Sequence, residues 1–377
     1  MIYIHVPFCR SFCTYCDFYS ELAPKCRKDE ESEARSELFG RYAAAARNEI
    51  VSRRNLIAKD TNTLYIGGGT PSVLPLPILG NILEPLAPFA PFDEFTIEVN
   101  PEDIVEKGIG YASSLRNMGV DRISMGVQSF DDGILRWMNR RHNAVGALEA
   151  FRILRSAGFV NISLDFIFGL SQLSDEQWES TISQALALRP EHISAYQLSI
   201  ENGSALADMV SSGKYSEASD EHCSRQYAIL CKEMADAGYS HYEISNFALP
   251  GFEARHNSAY WRRVPYVGIG PGAHSLSGNV RSWNEENLDS YLHSAETGTF
   301  SFSSKTEILN DAQIAEETVF LALRTSNGID AGYLYGHSGK EVVDRLLRNG
   351  SLVFSGKRIR IPESHFFVSD DIISDLI

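Results

Sequence analysis

Three cysteines near the amino end of the chain have the types and spacing that bind iron or zinc. Cys9, Cys13 and Cys16 form the pattern C-x3-C-x2-C directly after a short apolar run. Cysteine thiolates are soft ligands, so three of them on one loop suit a zinc ion or an iron–sulfur cluster. A structural zinc ion usually takes four ligands from two paired motifs, and the sequence has no second such pair. Three thiolates therefore favour a four-iron cluster in which one iron has no protein ligand.

An iron without a protein ligand gives this loop a specific chemistry. Such an iron can chelate the amine and carboxylate of S-adenosylmethionine (SAM) and pass an electron to its sulfonium. Tyr15 stands beside the last cysteine, and the segment resembles the C-x3-C-x-aromatic-C signature of the radical SAM superfamily. Three ordinary buried cysteines would explain neither the spacing nor the adjacent aromatic residue. We therefore expect a 4Fe–4S cluster on Cys9, Cys13 and Cys16.

Composition excludes several classes of protein. The 377 residues, 44% hydrophobic and 22% charged, are typical of a soluble globular protein with two domains. A net charge of −15 without a long Lys/Arg run argues against a nucleic-acid-binding surface. No apolar run approaches the roughly eighteen residues of a membrane span, and residues 1–8 lack the features of a signal peptide. Six cysteines are too few for a disulfide scaffold, so we expect a reducing, cytoplasmic compartment.

Short apolar strands alternate with helices over the first 240 residues. Strands are expected at the amino end and in five further segments, which are 63–67, 95–100, 122–128, 161–168 and 192–198. Helices are expected between them, over 36–57, 102–118, 131–138, 143–157 and 175–188, and after the last strand, over 219–238. This alternation predicts a parallel sheet, either doubly wound or closed as a barrel, with functional residues at the carboxyl ends of the strands. Residues 21–35 are charged and are expected to form an exposed insertion in which Cys26 is incidental.

The rest of the chain has a different character. Residues 241–305 are rich in aromatic residues and glycine, and we expect an irregular extension of the core. Residues 306–377 suggest helices over 311–324, 330–336 and 339–349, followed by two short strands. Helices followed by a β-hairpin predict a small winged-helix-like α+β domain. The expected domains are therefore 1–240, 241–305 and 306–377.

Glycines and polar residues follow the predicted strands. Gly68, Gly69 and Thr70 end the second strand of the alternation, where bare backbone can approach a ligand closely. Four polar side chains fall at or near other strand ends: Glu98, Gln128, Arg140 and Asp165. A zwitterionic nucleoside such as SAM needs a cation for its carboxylate and oxygen acceptors for its amine and ribose hydroxyls. Each residue taken singly is better explained as a solvated or structural charge.

A third pattern is the sequence His-Asn-Ser-Ala-Tyr-Trp at residues 256–261. A lone histidine is usually a structural residue. His256 with Tyr260 and Trp261 could also form an aromatic pocket for a flat ligand, with the histidine as an axial iron ligand. The residues alone favour the structural interpretation.

Taken together, these motifs resemble the oxygen-independent coproporphyrinogen III oxidase family of radical SAM proteins and, within it, the heme chaperone branch, HemW. The similar segments include residues 3–9, 65–72, 98–101, 124–130, 164–169 and 243–248. The resemblance implies a partial (β/α)6 barrel with a small C-terminal domain like that of HemN, and a 4Fe–4S cluster. It also implies a SAM site lined by Tyr3, Tyr15, Gly68, Gly69, Thr70, Glu98, Gln128, Arg140 and Asp165.

Two features distinguish this chain from the oxidases of that family. They carry a fourth cysteine two residues after the third ligand, where this chain has Phe18, and an extension ahead of the first strand, which here begins at residue 2. The chain instead has the His-Asn-x-x-Tyr-Trp element of the chaperone branch. The resemblance assigns His256 as a heme ligand, with Tyr260 and Trp261 packing the porphyrin.

Two functions of different classes follow from the resemblance. The first is a heme chaperone that carries heme as cargo to an acceptor protein, with the cluster regulating transfer or the formation of a homodimer. The second is an enzyme that abstracts hydrogen from the propionate groups of coproporphyrinogen III and releases carbon dioxide. Phe18 favours the first function, and the SAM-binding set keeps the second open. No side chain is assigned a catalytic role.

Overall fold

A computed structural model describes residues 1–24, 33–58, 60–297 and 305–377. The helices and strands of these residues are built around one large sheet. The strands are β1 (Ile2–Val6), β2 (Phe8–Cys9), β3 (Glu21–Leu22), β4 (Thr63–Gly68), β5 (Glu94–Val99), β6 (Arg122–Gln128), β7 (Ile162–Phe168), β8 (His192–Gln197), β9 (Ser240–Glu243), β10 (Asn246–Ala248), β11 (Val267–Ile269), β12 (His274–Ser277), β13 (Val280–Trp283), β14 (Lys305–Ile308), β15 (Ile329–Asp330), β16 (Val353–Ser355) and β17 (Arg358–Arg360).

The six strands predicted from the alternation are confirmed, and they lie side by side in chain order. The central sheet has the order β11-β1-β4-β5-β6-β7-β8-β10-β9. All neighbours from β11 to β8 pair in parallel. Side chains on both faces of these strands are buried, as expected for a parallel sheet. The sheet is open between β11 and β9 within the described residues, which agrees with a partial barrel.

The helices occupy the connections between the strands. They are α1 (Glu33–Ser52), α2 (Leu76–Leu83), α3 (Pro101–Asn117), α4 (Asp132–Trp137), α5 (Ala144–Ser156), α6 (Asp175–Leu188), α7 (Ala205–Ser211), α8 (Asp220–Asp236), α9 (Arg255–Trp261), α10 (Leu288–Thr297), α11 (Asp311–Ala322), α12 (Ala331–Ser338), α13 (Lys340–Arg348) and α14 (Ser369–Ser374). Side chains fix several of the starts. Ser174 and Gln177 form a capping box at the start of α6, and the Asn143 side chain accepts a 2.8 Å hydrogen bond from the Gly146 amide at the start of α5.

The prediction of an irregular extension over 241–305 is wrong for much of that stretch. Strand β11 extends the parallel sheet beside β1, and β10 and β9 extend the opposite edge in antiparallel fashion. Strands β12, β13 and β14 form a separate antiparallel sheet that crosses the predicted boundary at residue 305. These strands have three or four residues each, too few to show a clear alternation of polar and apolar residues.

The carboxyl end of the chain contains the predicted helices and hairpin. Strands β16 and β17 pair in antiparallel fashion, β15 joins them beside β17, and helices α11 to α14 belong to the same stretch of chain. The domain boundaries at 240 and 305 stay a prediction. Cys26 and most of the predicted insertion lie outside the described residues. Within the described residues, none of the helices has the length and apolar character needed to cross a membrane.

Candidate functional site

A cavity of about 900 Å³ opens at the carboxyl ends of the parallel strands and extends down into the sheet. Its wall includes the three cysteines and every predicted SAM residue except Tyr3. These wall residues are Cys9, Cys13, Tyr15, Cys16, Gly68, Gly69, Thr70, Glu98, Gln128, Arg140 and Asp165. They come from five neighbouring strands of the sheet or from the segments that follow them, and the parallel topology brings them to one edge.

The cysteine loop follows strand β1 directly, and the three thiols are free and half-buried. The Cys9 Sγ lies 3.5 Å from the Thr70 hydroxyl, and the Cys13 Sγ accepts a 3.4 Å hydrogen bond from the Arg140 guanidinium. Within the described residues, no group of three or more His, Cys, Asp and Glu side chains is close enough to hold a single metal ion. In a four-iron cluster each thiolate binds a different iron, so its sulfur atoms lie farther apart than around one ion. Three thiolates on one loop are a donor set that suits an iron–sulfur cluster.

Strand β4 ends in glycines because the cysteine loop lies against them. A Cβ atom on Gly69 would lie 2.8 Å from the carbonyl oxygen of Phe8 and 3.1 Å from the Cys9 Sγ. Gly68 has a φ of +109°, which other residues rarely adopt, and a Cβ there would meet the His5 ring at 2.7 Å. Only glycine allows the backbone of β4 to approach the cluster loop this closely.

Glu98 is fixed in the cavity wall through both of its carboxylate oxygens. The Tyr65 hydroxyl donates a 2.7 Å hydrogen bond to Oε1, and the Gly68 amide donates a 3.1 Å hydrogen bond to Oε2. Burial, which outweighs these hydrogen bonds, raises the pKa of Glu98 to about 7. The carboxylate is an acceptor held in place before any ligand arrives.

Arg140 faces the cavity from the loop between helices α4 and α5, and Asp165 faces it from strand β7. The Arg140 Nη2 donates hydrogen bonds of 2.6 Å to Asn100 Oδ1 and of 2.7 Å to the Gly126 carbonyl. Asp165 accepts hydrogen bonds from the hydroxyls of Ser124 at 2.7 Å and Ser163 at 3.0 Å, and burial raises its pKa. The site thus offers one cation close to the cysteine loop and a separate acid deeper in the sheet.

Gln128 lies at the end of β6, where the strand changes its register against β7. Its φ is +67°, so the chain bends there and brings the side chain to the cavity wall. Tyr3 is not in the wall. Its hydroxyl is 3.1 Å from the His5 Nδ1, and its ring is 6.1 Å from the ring of Tyr65, so it lies behind the residues that face the cavity.

The structure does not bring His256, Tyr260 and Trp261 to the cavity wall. His256 is 1% exposed, and both ring nitrogens have protein partners, Thr63 Oγ1 at 2.9 Å and the Tyr260 hydroxyl at 3.1 Å. Burial lowers its pKa to about 3, so the ring is neutral. Ligation of a heme iron would require one of these hydrogen bonds to break.

Sequence reasoning missed several wall residues. Asn100 accepts from Arg140 and donates a 3.2 Å hydrogen bond to Thr70, and its place directly after strand β5 could have identified it. Asn257, next to His256 on helix α9, is the residue of its motif that lines the cavity. Arg122 lines the cavity from the amino end of β6, where the rule that functional residues follow strands gives no signal.

Comparison with known proteins agrees with this geometry. Residues 3–185 match the family model of the radical SAM superfamily. The chain is 34% identical over 335 residues to the heme chaperone HemW of Bacillus subtilis (strain 168), covering 87% of this chain and 84% of that protein. It is 30% identical over 384 residues to HemW of Mycobacterium tuberculosis (strain H37Rv), covering 100% and 94%.

Among solved structures, the coproporphyrinogen III oxidase HemN of Escherichia coli has the same fold. The TM-score is 0.80 at 20% identity, over 100% of this chain and 89% of that one. That structure supports the radical SAM fold, with its parallel sheet and surrounding helices. On these matches the chain belongs to the radical SAM superfamily and, within it, to the HemW family.

Proposed function

We propose that this protein binds heme as cargo and delivers it to an acceptor protein. The observation that carries the proposal is the 34% identity to a heme chaperone over 84% of that protein's length. Phe18 supports it, since this position holds a further cysteine in the oxidases that the chain resembles. The acceptor is a second protein partner.

Membership of the superfamily implies a 4Fe–4S cluster and SAM. When bound, such a cluster has one open iron that takes the methionyl group of SAM and supplies an electron to its sulfonium. We propose that Cys9, Cys13 and Cys16 hold the cluster. In the same proposal Gly68 and Gly69 present bare backbone to the methionyl amine, and Arg140 faces the carboxylate. Glu98 and Asp165 are acceptors for the amine and the ribose hydroxyls.

The remaining SAM residues are assigned supporting positions. Thr70 lies between Cys9 and Asn100, and Gln128 and Tyr15 line the same wall. Tyr3 lies outside the wall and supports the site through its contacts with the rings of His5 and Tyr65. No catalytic role is needed for any of them in a protein that carries heme.

The heme set of His256, Tyr260 and Trp261 stays a prediction. Tyr260 packs edge-on against Tyr266 at 4.8 Å between ring centroids, and His256 is enclosed between Thr63 and Tyr260. If His256 is an axial ligand, the heme-loaded protein must release that histidine from one of its two partners. Such a change would appear as a difference in the hydrogen bonding of His256 between the heme-free and the heme-loaded protein.

Coproporphyrinogen III oxidation is the second candidate function. It is favoured by one observation, that the cavity wall contains the cysteines together with Glu98, Gln128, Arg140 and Asp165. A chaperone that uses the cluster only for regulation would not need SAM to be cleaved.

A heme titration tests the proposal. Anaerobically reconstituted protein, loaded with SAM, is titrated with heme while the Soret absorption is recorded, with bovine serum albumin as a control for nonspecific binding. We expect a saturating complex that loses its heme to an added apoprotein acceptor. The absence of saturable binding would contradict the proposal.

The state of the described cysteines is relevant to the cellular compartment in which the protein works. All five are free thiols, as expected in a reducing environment, and we propose a cytoplasmic location. Relatives of this chain include proteins named as mitochondrial, so the family is not restricted to one compartment. A homodimer is a further part of the proposal, and sedimentation with and without the reconstituted cluster would test it.

A further inference from the structure

The deep end of the cavity contains a buried cation that the SAM site does not use. Arg122 is the first residue of β6 and is 1% exposed, yet its side chain lines the cavity. Gly126, whose carbonyl accepts from Arg140, is four residues farther along the same strand, or about 13 Å at strand spacing. Arg122 is therefore at the opposite end of the cavity from the cysteine loop.

Arg122 has no direct partner for its charge among the residues that the structure describes. Its Nε is buried without a hydrogen bond, and no carboxylate of these residues forms an ion pair with its guanidinium. Nearby acids, Glu94 foremost, offset the charge of Arg122 without a hydrogen bond to it, whereas native proteins normally also satisfy buried donors with hydrogen bonds. A buried guanidinium that faces a cavity is explained by an acceptor that comes from a ligand.

The nearby acids already accept hydrogen bonds from donors other than Arg122. Glu94 accepts hydrogen bonds from the backbone amides of Arg255 at 2.7 Å and His256 at 3.0 Å. Asp165 accepts from two serines, and Glu98 accepts from Tyr65 and Gly68. Burial raises the pKa of Glu98 to about 7, so near neutral pH this group gives Arg122 less than a full counter-charge.

A second polar group on the same wall is also without a protein partner. Asn257 lines the cavity, and its carboxamide forms no hydrogen bond within the described residues. The hydrogen bonds that fix His256 and the start of helix α9 determine where Asn257 points. The wall there also includes Ser124 and Ser194, which supply hydroxyl groups.

We propose that Arg122 and Asn257 form a subsite for a carboxylate at the deep end of the cavity, and that the carboxylate is a propionate group of the heme cargo. This identification rests on the proposed function, in which Arg140 faces the carboxylate of SAM and heme is the other ligand that carries carboxylates. Arginine binds carboxylates through two parallel hydrogen bonds, which suits a guanidinium with all of its donors available. The cavity volume is at the upper end of the range for ligand pockets, so it can hold more than one nucleoside-sized molecule.

The test compares two forms of the cargo on reconstituted, SAM-loaded protein. Heme and heme dimethyl ester are titrated in the same mixed solvent into the wild type, Arg122→Met, Arg122→Lys and Asn257→Ala. The ester keeps the ring and the iron and removes the negative charge. Arg136→Met, at an exposed position on helix α4, is the matched control.

The wild type and Arg136→Met should bind heme about tenfold to a hundredfold more tightly than the ester, the range that a charge-assisted hydrogen bond provides. Arg122→Met should lose this preference, and Arg122→Lys should keep part of it. Asn257→Ala should reduce it. Circular dichroism and SAM binding, measured by equilibrium dialysis, should be unchanged in all variants.

Two results would overturn the inference. One is an unchanged preference for heme over its ester in Arg122→Met and Arg122→Lys. The other is a loss of SAM binding in these variants with heme selectivity intact, which would place Arg122 in the SAM site. If the wild type binds neither heme nor ester, the proposed function fails first, and the two failures are thereby distinguished.

Discussion

Tyr65 and Glu98 lie on neighbouring strands of the parallel sheet, and the Tyr65 hydroxyl donates a 2.7 Å hydrogen bond to the Glu98 carboxylate. The Gly68 amide binds the other oxygen, so an acid in the cavity wall has a fixed orientation. Burial nevertheless raises its pKa from 4.5 to about 7. The wall thus contains an acceptor whose charge is unfavourable for the fold.

This arrangement predicts a dependence of stability on pH. An acid whose pKa is higher in the folded state stabilises the fold when it is protonated, and that contribution is lost as pH rises from about 4.5 to about 7. Between pH 4.5 and pH 8, the free energy of unfolding of the wild-type apoprotein should fall by about 2 to 3 kcal/mol relative to that of Glu98→Gln. Urea unfolding of both proteins at several pH values measures the difference. If the free energies of unfolding of the two proteins changed with pH in the same way, the raised pKa of Glu98 would be contradicted.

Cys13 is expected to be essential for the cluster. Its thiol accepts from Arg140 and lies in the cavity wall, so Cys13→Ala should abolish the visible charge-transfer absorption of reconstituted protein. Cys231→Ala is the matched control because Cys231 is half-buried outside that wall, with its Sγ 3.9 Å from His241 Nδ1. A cluster that survived in the Cys9/Cys13/Cys16 triple variant would refute the assignment.

The close contact at Gly69 predicts an effect on iron content. Gly69→Ala places a methyl group 2.8 Å from the Phe8 carbonyl oxygen, so it should displace the cysteine loop and destabilise the fold by about 1 to 3 kcal/mol. Most of the bound iron should be lost after reconstitution. Gly40→Ala, in helix α1, meets nothing within 4 Å and should instead stabilise by up to about 1 kcal/mol. Equal iron content in both variants would contradict this account of the glycines.

His256 is expected to contribute to stability whether or not it binds heme. His256→Ala removes a buried ring and leaves Thr63 and Tyr260 without a partner, so the free energy of unfolding of the apoprotein should fall by about 2 to 4 kcal/mol. Urea unfolding at pH 7 measures this change. The heme spectrum of the same variant, if unchanged, removes His256 from the predicted heme set.

The sequence predicted the central sheet well because each parallel strand is a short, largely apolar segment that alternates with a helix. The segment over 162–168 is an example, and the glycines at the end of β4 mark where that strand stops. Strand β11 was not predicted, since three residues carry no periodic signal and its partner β1 is more than 260 residues away in the chain. Pairings of that kind depend on the whole fold.

The same contrast holds for the site. The cysteine spacing and the residues after strands predicted most of the cavity wall because parallel strands bring their carboxyl ends together. Arg122 was missed because it begins a strand, and only the depth of the cavity makes it accessible. The pattern at residues 256–261 likewise gave no sign that Asn257, and not His256, lies in the wall.

The central claim is that the protein binds heme and does not oxidise a porphyrinogen. The most direct measurement incubates anaerobically reconstituted protein with SAM, a reductant and coproporphyrinogen III, and quantifies carbon dioxide and 5′-deoxyadenosine, with heme binding recorded on the same preparation. We expect one heme per protein without carbon dioxide release. Turnover to protoporphyrinogen IX with matching 5′-deoxyadenosine would contradict the account and make the protein an oxidase.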